Sequence, residues 1–191
     1  MVAGRDDAPP PGFVRGDEEV VFTGHVFSVV RAQFSDPDGH PFERSVVRHP
    51  GAVAVVAVDD RGSATLVRQL RAAVWASVLE VPAGTCDVDG EPPESTARRE
   101  LVEEAGLEAG RFELLAAVYN SPGYSDQLTH VYLATDLASC ATARTGVEEQ
   151  WMTTEQVALA DVERLVGEGR LVDQTTVLGL LLARGALAGE T

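Results

Sequence analysis

GTCDVDGEPPESTARRELVEEAGL, residues 84–107, decides how the chain is read. Pro92 and Pro93 suit the first turn of a helix, where backbone N–H groups have no intrahelical partner. Gly106 suits its end, because glycine takes the left-handed terminating conformation without steric cost. Between them Glu100, Glu103 and Glu104 recur at i, i+3 and i+4, so the spacing predicts one amphipathic helix with three carboxylates on one side. Leu101, Val102 and Ala105 point elsewhere and can face a core. Two like charges about 4 Å apart cost roughly 4 kcal/mol at an effective dielectric near 20. A chain that keeps such a cluster beside a core either solvates it or neutralises it with a cation. Hard oxygen ligands in this number suit Mg²⁺ or Mn²⁺, which complete their shell with water and substrate phosphate.

Outward from this helix the pattern is mostly strands. Residues 78–82 (VLEVP) read as a short strand entering the loop before it. Upstream, residues 52–58 (AVAVVAV) are a buried strand by length and branching, and Asp59–Gly62 turns the chain into a partner at 63–69. Residues 18–34 give one or two strands broken near Thr23-Gly24, followed by the turn Asp36-Pro37-Asp38-Gly39 and a strand at 42–48. Residues 1–16, rich in Pro, Gly and Asp, read as a disordered arm. Downstream, strands are expected at 112–119 and 128–134 around a polar loop, Asn120–Gln127. Residues 137–150 are irregular, a strand follows at about 151–158, and helices are expected near 161–167 and 173–185. Many strands with few helices give an α+β fold arranged as an α/β/α sandwich.

The totals exclude several classes. Fifteen basic against thirty acidic residues leave a net charge of −15 on 191 residues. Sequence-independent nucleic-acid binding needs the opposite sign. A small phosphorylated substrate is still compatible, since a bound metal and a few arginines reverse the sign locally. Cys86 and Cys140 show no zinc-ligand spacing and no disulfide framework. No apolar run is long enough to span a membrane, and the acidic, proline-rich N-terminus lacks a signal peptide, so a cytoplasmic location is expected. His25, His40, His49 and His130 show no ligand pairing. Trp75 and Trp151 are expected to pack rather than to clamp an adenine, with stacking of one of them on a base as the alternative.

From Glu91 onward the stretch resembles the Nudix box. Seven residues follow Glu91, and then come Arg99, Glu100, Leu101, Val102, Glu103, Glu104, Ala105, Gly106 and Leu107, each fitting its position. Six residues, not five, separate Gly84 from Glu91, which reads as one inserted loop residue. Further segments are similar to those of ADP-ribose pyrophosphatases within that family. VRQLR (67–71) places Arg71 where an arginine contacts substrate, with Leu70 replacing an aromatic. Its fork suits a pyrophosphate; read alone, it fits a surface edge strand equally well. LEVPAG (79–84) places Ala83 where a backbone carbonyl ligates metal, and Glu80 beside the substrate. SPGYSD (121–126) resembles the Ser-Pro-Gly-aromatic loop, with Pro122 sixteen positions past Gly106. Arg44 aligns with an early substrate-contacting arginine, although Ser45 replaces the glutamate that follows it. Gln127 stands where relatives often carry glutamate. The general base is then expected from the acidic pair in VEEQWMT, Glu149 first and Glu148 as alternate. A solvated loop pair is the competing reading for both.

The resemblance implies a Nudix fold: residues 17–50 as an N-terminal β subdomain serving dimerisation, and 51–191 as the hydrolase domain. It implies a homodimeric, metal-dependent pyrophosphohydrolase acting on a small molecule linked through a nucleoside diphosphate. Glu100, Glu103, Glu104 and Ala83 would hold the metal, and Arg99 would pair with Glu91. The preferred substrate is ADP-ribose, giving AMP and ribose 5-phosphate. The alternatives are another nucleoside diphosphate derivative (nucleotide sugar, dinucleoside polyphosphate or NADH) and a non-catalytic ADP-ribose-binding module.

Overall fold

The computed structural model describes residues 9–142, 144, 146, 147 and 149–189. They fall into two units, residues 9–51 with 119–128, and residues 52–118 with 129–189.

The first unit is a three-stranded antiparallel meander, β1 (Val14–Thr23), β2 (Ser28–Ser35) and β3 (Pro41–Arg48). The break expected near Thr23-Gly24 is a turn closed by the Gly24 N–H on the Phe27 carbonyl, 2.8 Å. β1 begins at Val14, inside the stretch expected to be an arm. Asp36 closes the β2–β3 turn by accepting from the backbone N–H groups of Asp38 and His40 at 3.0 and 2.8 Å, the expected role of an Asx side chain. Ser121–Asp126 belongs to this unit too. The Val47 N–H donates to the Tyr124 carbonyl (2.7 Å), and Asp126 accepts from Arg48 and from the His49 N–H.

The second unit is built on β4 (Ala52–Val58). β4 runs parallel to β9 (Leu128–Ser139) from Ala52↔Thr129 to Ala57↔Ala134. Its expected hairpin with β5 (Ser63–Arg71) forms only near the turn, at Ala57↔Thr65 and Val58↔Ala64. The two strands then part. β5 takes β6 (Ala76–Glu80) and β10 (Thr153–Ala158) as neighbours, and β4 takes β7 (Ala83–Thr85). β8 (Leu107–Tyr119) lies at the far edge of the order β10-β5-β4-β9-β8.

Because β4 is apolar at every position, both of its faces can be covered, and they are. Val53, Val55 and Ala57 pack with Ala97 and Leu101 from the box helix. Ala54, Val56 and Val58 pack with Leu180 and Ala183 of the C-terminal helix, Gln174–Leu187. That helix approaches closely at Gly179, where an added Cβ would lie 2.9 Å from Val56 Cγ2. It starts at Asp173, whose side chain accepts from the Thr176 N–H at 2.7 Å. Thr176 Oγ1 in turn accepts from the Val81 N–H at 3.0 Å, fixing the strand that leads to the box. A sheet with helices on both faces is the expected sandwich. Among the described residues, no helix is long and apolar enough to cross a membrane.

Candidate active site

The box helix is not one regular helix. It runs as α1 (Pro93–Glu100), followed by a π turn over Leu101–Ala105 and a left-handed Gly106 at φ 65°. Such widened turns recur at functional sites. Here the turn lets Leu101 stay fully buried in the core while Glu104 is buried as well. The three glutamates therefore meet different surroundings rather than sharing one exposed acidic face.

Glu104 is 4% exposed, and its Oε2 accepts from the Ala83 N–H at 3.0 Å. Glu100 lies against the backbone of β7. A Cβ built on Gly84 would stand 2.1 Å from Glu100 Cδ, so only glycine leaves room for that carboxylate. Arg99 is the local cation. It donates to Glu100 Oε1 at 2.8 Å, to Glu103 Oε2 at 3.4 Å and to Glu91 Oε2 at 3.3 Å. The expected Arg99–Glu91 pair is thus present, reinforced by the Thr96 hydroxyl donating to Glu91 at 2.8 Å.

One arginine does not neutralise the group. Burial pushes the Glu100 carboxyl up to about 7, against the pull of Arg99, with Glu103 and Glu149 adding to the rise. Burial pushes Glu104 up to about 8, against the Ala83 N–H, with Glu100 and Glu149 adding to it. Two carboxyls that hold protons near neutrality, Glu104 buried and Glu100 half-buried, with a third beside them and a glycine backbone facing them, fit a hard divalent cation. The donors are all oxygen, and a cation would replace the protons.

Among the described residues, ligand atoms converge to within 4.8 Å of one another only at Asp36, Asp38 and His40, which are half-buried to exposed on the β2–β3 turn. There Asp36 is already engaged by backbone N–H groups and the His40 ring, so its oxygens serve the turn. His40, expected to lack ligand neighbours, therefore has them. The three box glutamates do not converge in this way: Arg99 Nη1 holds Glu100 and Glu103, while Glu104 is turned to the Ala83 N–H.

Arg71 and Glu80 meet across the β5–β6 hairpin. Arg71 Nε lies 3.0 and 2.9 Å from the two Glu80 oxygens, and Nη2 also donates to Oε2. Glu80 is buried and further accepts from Gln69 at 3.1 Å. The two expected substrate residues are therefore partners of each other, with Nη1 of Arg71 outside the pair. Arg44 belongs to the first unit, exposed on β3, with its guanidinium 4.9 Å from the Phe42 ring and Nη1 on the Glu43 carbonyl. Glu149 opens a short 3₁₀ turn, Glu149–Trp151, and its Oε2 accepts from the Gly146 N–H at 2.9 Å. Glu148, the alternate base, lies outside the described residues.

Two expectations fail. Trp75 and Trp151 do not pack, being 81% and 83% exposed. Trp75 sits on a turn at φ 50° and Trp151 ends the 3₁₀ turn, positions from which neither ring reaches the core. Sequence reading also passed over Arg144, which bonds the carbonyls of Glu104 and Met152. Its one available signal was its place as a lone base in an irregular, acid-ended stretch.

The whole second unit thus presents a sandwich with an acid-lined box helix facing a glycine strand, the architecture of a metal-dependent hydrolase of diphosphates. Residues 48–168 match the model of the NUDIX domain. The chain is 39% identical over 171 residues to the ADP-ribose pyrophosphatase of Mycobacterium tuberculosis (strain ATCC 25618 / H37Rv), covering 90% of this chain and 83% of that protein. It is 36% identical to the ADP-ribose pyrophosphatase of Bacillus subtilis (strain 168), covering 85% of this chain and 88% of that one. The crystal structure of an ADP compounds hydrolase matches with a TM-score of 0.82 over 96% of this chain and 98% of that chain. At 21% identity that likeness speaks for the fold. The chain belongs to the NUDIX domain family and is a Nudix hydrolase. Enzymes of this family generally need a divalent metal.

Proposed function

We propose that this chain hydrolyses ADP-ribose to AMP and ribose 5-phosphate with Mg²⁺ or Mn²⁺, as a cytoplasmic homodimer. The observation that carries the metal-dependent reaction is the pair Glu100, half-buried against Gly84, and Glu104, buried against Ala83, with their protons held near neutrality. The choice of ADP-ribose is supported by the two relatives named as ADP-ribose pyrophosphatases and by the Ser121-Pro122-Gly123 loop.

Glu100 and Glu104, with Glu103 and the Ala83 carbonyl, would hold the metal. The metal, when bound, neutralises the diphosphate and acidifies a water. Glu149 takes the proton from the attacking water, with Glu148 as the alternate base. It stands close enough for its charge to act on both Glu100 and Glu104. Glu80 orients Arg71, whose Nη1 is left for the diphosphate; Arg44 is proposed as a further substrate residue from its match to the early arginine of the family. Residues 17–50 serve dimerisation. β1 supports this, because it is exposed along its full length and carries Val20, Val21 and Phe22 on its surface. A monomer mass by light scattering at micromolar concentration would refute the dimer.

Incubation with ADP-ribose, a nucleotide sugar, a dinucleoside polyphosphate and NADH, with and without each metal, tests the substrate. AMP and ribose 5-phosphate should appear from ADP-ribose only when metal is present. Preference for another member of the panel would move the assignment to that substrate, a result that Leu70, Ser45 and Gln127 leave room for. Binding of ADP-ribose without turnover of any member would make the chain a binding module, against the presence of all three box glutamates.

A further inference from the structure

We propose that Arg144 is a positioning residue that clamps the loop carrying Glu149 to the end of the box helix and thereby sets where the Glu149 carboxylate stands. The inference rests on the reading of Glu149 as the general base. Arg144 Nε donates to the Glu104 carbonyl at 3.0 Å, Nη2 reaches the same oxygen, and Nη1 donates to the Met152 carbonyl at 2.6 Å. One planar fork thus joins the last turn of the box helix to the residue that precedes β10.

The last carbonyls of a helix lack intrahelical partners and carry the negative end of its dipole, so a cation is favoured there. A plain cap would need one bond to one carbonyl. Fixing an arginine costs rotamer entropy, and here the ordered fork spans two segments instead of one.

What lies between the two anchors is the base. The Gly146 N–H donates to Glu149 Oε2 at 2.9 Å, and a Cβ on Gly146 would lie 2.7 Å from Glu149 Oε1. The Gln150 N–H donates to the Gly146 carbonyl at 3.2 Å, and the Met152 N–H to the Glu149 carbonyl at 3.0 Å. The carboxylate is therefore held by a turn whose far end, Met152, is tied by Arg144 to Glu104. Glu104 is the buried one of the two box carboxylates on which the Glu149 charge acts. Moving the loop moves the base relative to the helix, and a misplacement of about 1 Å can cost on the order of 100-fold in rate.

The test uses the full chain with R144A, R144K, E149Q and the R144A/E149Q double variant. R144A should lower kcat for ADP-ribose by about 10-fold or more with KM within about 2-fold, and ethylguanidine should restore part of that loss. In metal-free R144A, amide hydrogens of residues 146, 147 and 149–152 should exchange faster while those of 94–100 are unchanged. The double variant should be no slower than E149Q, since a clamp has nothing to position once the base is gone. R144K keeps the charge but loses the fork and should show the same kcat loss, so it carries the test if R144A folds poorly. E149Q inactive with R144A and R144K at full kcat would overturn the clamp and spare the base. Independent, multiplying losses would overturn it too, placing the role of Arg144 at the helix end. A fully active E149Q would overturn the reading of the base, and the clamp with it.

Discussion

Glu104→Gln should move stability and activity in opposite directions. Glu104 is 4% exposed, and burial, helped by Glu100 and Glu149, lifts its carboxyl from 4.5 to about 8. A folded-state pKa above the unfolded one means that the folded protein keeps a proton the unfolded chain has already lost. The stability this group contributes is complete below about pH 4.5, falls as pH rises, and is gone above about pH 8. Between pH 6 and the folded pKa about two units remain, a ceiling of roughly 3 kcal/mol at about 1.36 kcal/mol per unit. Gln cannot ionise, so it escapes this loss. It can still accept from the Ala83 N–H, while its amide hydrogens need new partners, which costs about 1–3 kcal/mol at every pH. The constant term cancels when two pH values are compared. The stability of the variant relative to wild type should therefore rise by roughly 1–3 kcal/mol from pH 6 to pH 8.5, with coupling to Glu100 taking up part of the ceiling. For a chain of this length that is about 2–4 °C of melting temperature per kcal/mol. Calorimetric melts of EDTA-treated protein at the two pH values read it directly. The same variant should lose the melting-temperature gain that Mg²⁺ or Mn²⁺ gives wild type, and its metal-dependent turnover. An unchanged gap between variant and wild type at pH 6 and 8.5 would refute the buried-charge argument. Full metal-dependent activity would refute the ligand assignment.

Three other outcomes follow from the same geometry. Gly84→Ala puts a methyl 2.1 Å from Glu100 Cδ, so the carboxylate must leave; metal affinity by calorimetry should fall about 10–100-fold with an unchanged circular dichroism spectrum. Wild-type affinity in that variant would show that Glu100 is not a ligand. With carboxyls at about 7 and about 8, metal uptake at pH 7 should release roughly one to one and a half protons, seen as a heat that differs between Tris and Hepes buffers and fades by about pH 9.5. Equal heats in both buffers at pH 7 would contradict the raised values. Gly179→Ala drives a methyl to 2.9 Å from Val56 Cγ2 and should cost about 1–3 kcal/mol in denaturant melts without changing KM, whereas wild-type stability would mean that the contact relaxes freely.

The features legible in the sequence are those whose cause is periodic or local. β4 shows itself because a strand covered on both faces must be apolar throughout, and the C-terminal helix, expected at 173–185, spans Gln174–Leu187 with Asp173 capping it. Gly106 shows itself because a helix end asks for the left-handed conformation that glycine takes freely. The π turn does not. It goes with the burial of both Leu101 and Glu104, and the partner of Glu104, Ala83, lies 21 positions away in the chain. Gly84 is visible as a letter of the motif, but the reason for it, the Glu100 carboxylate against its Cα, is tertiary.

Three arginines mark where this boundary falls. Arg99 finds Glu100 and Glu103 one and four positions away and Glu91 eight positions back, so helix geometry plus one loop predicts all three partners. Arg71 finds Glu80 across a hairpin, nine positions on. The sequence placed both at the substrate but not against each other, because the side-chain directions depend on the register of β5 with β6. Arg144 finds the Glu104 carbonyl 40 positions away, and a backbone carbonyl carries no side-chain identity for a motif to record. The more a charge is used to join separate segments by their backbones, the less the letters around it reveal. The loop that carries Glu149, the proposed base, is therefore the part of this site where side-chain patterns say least and the tertiary fold says most.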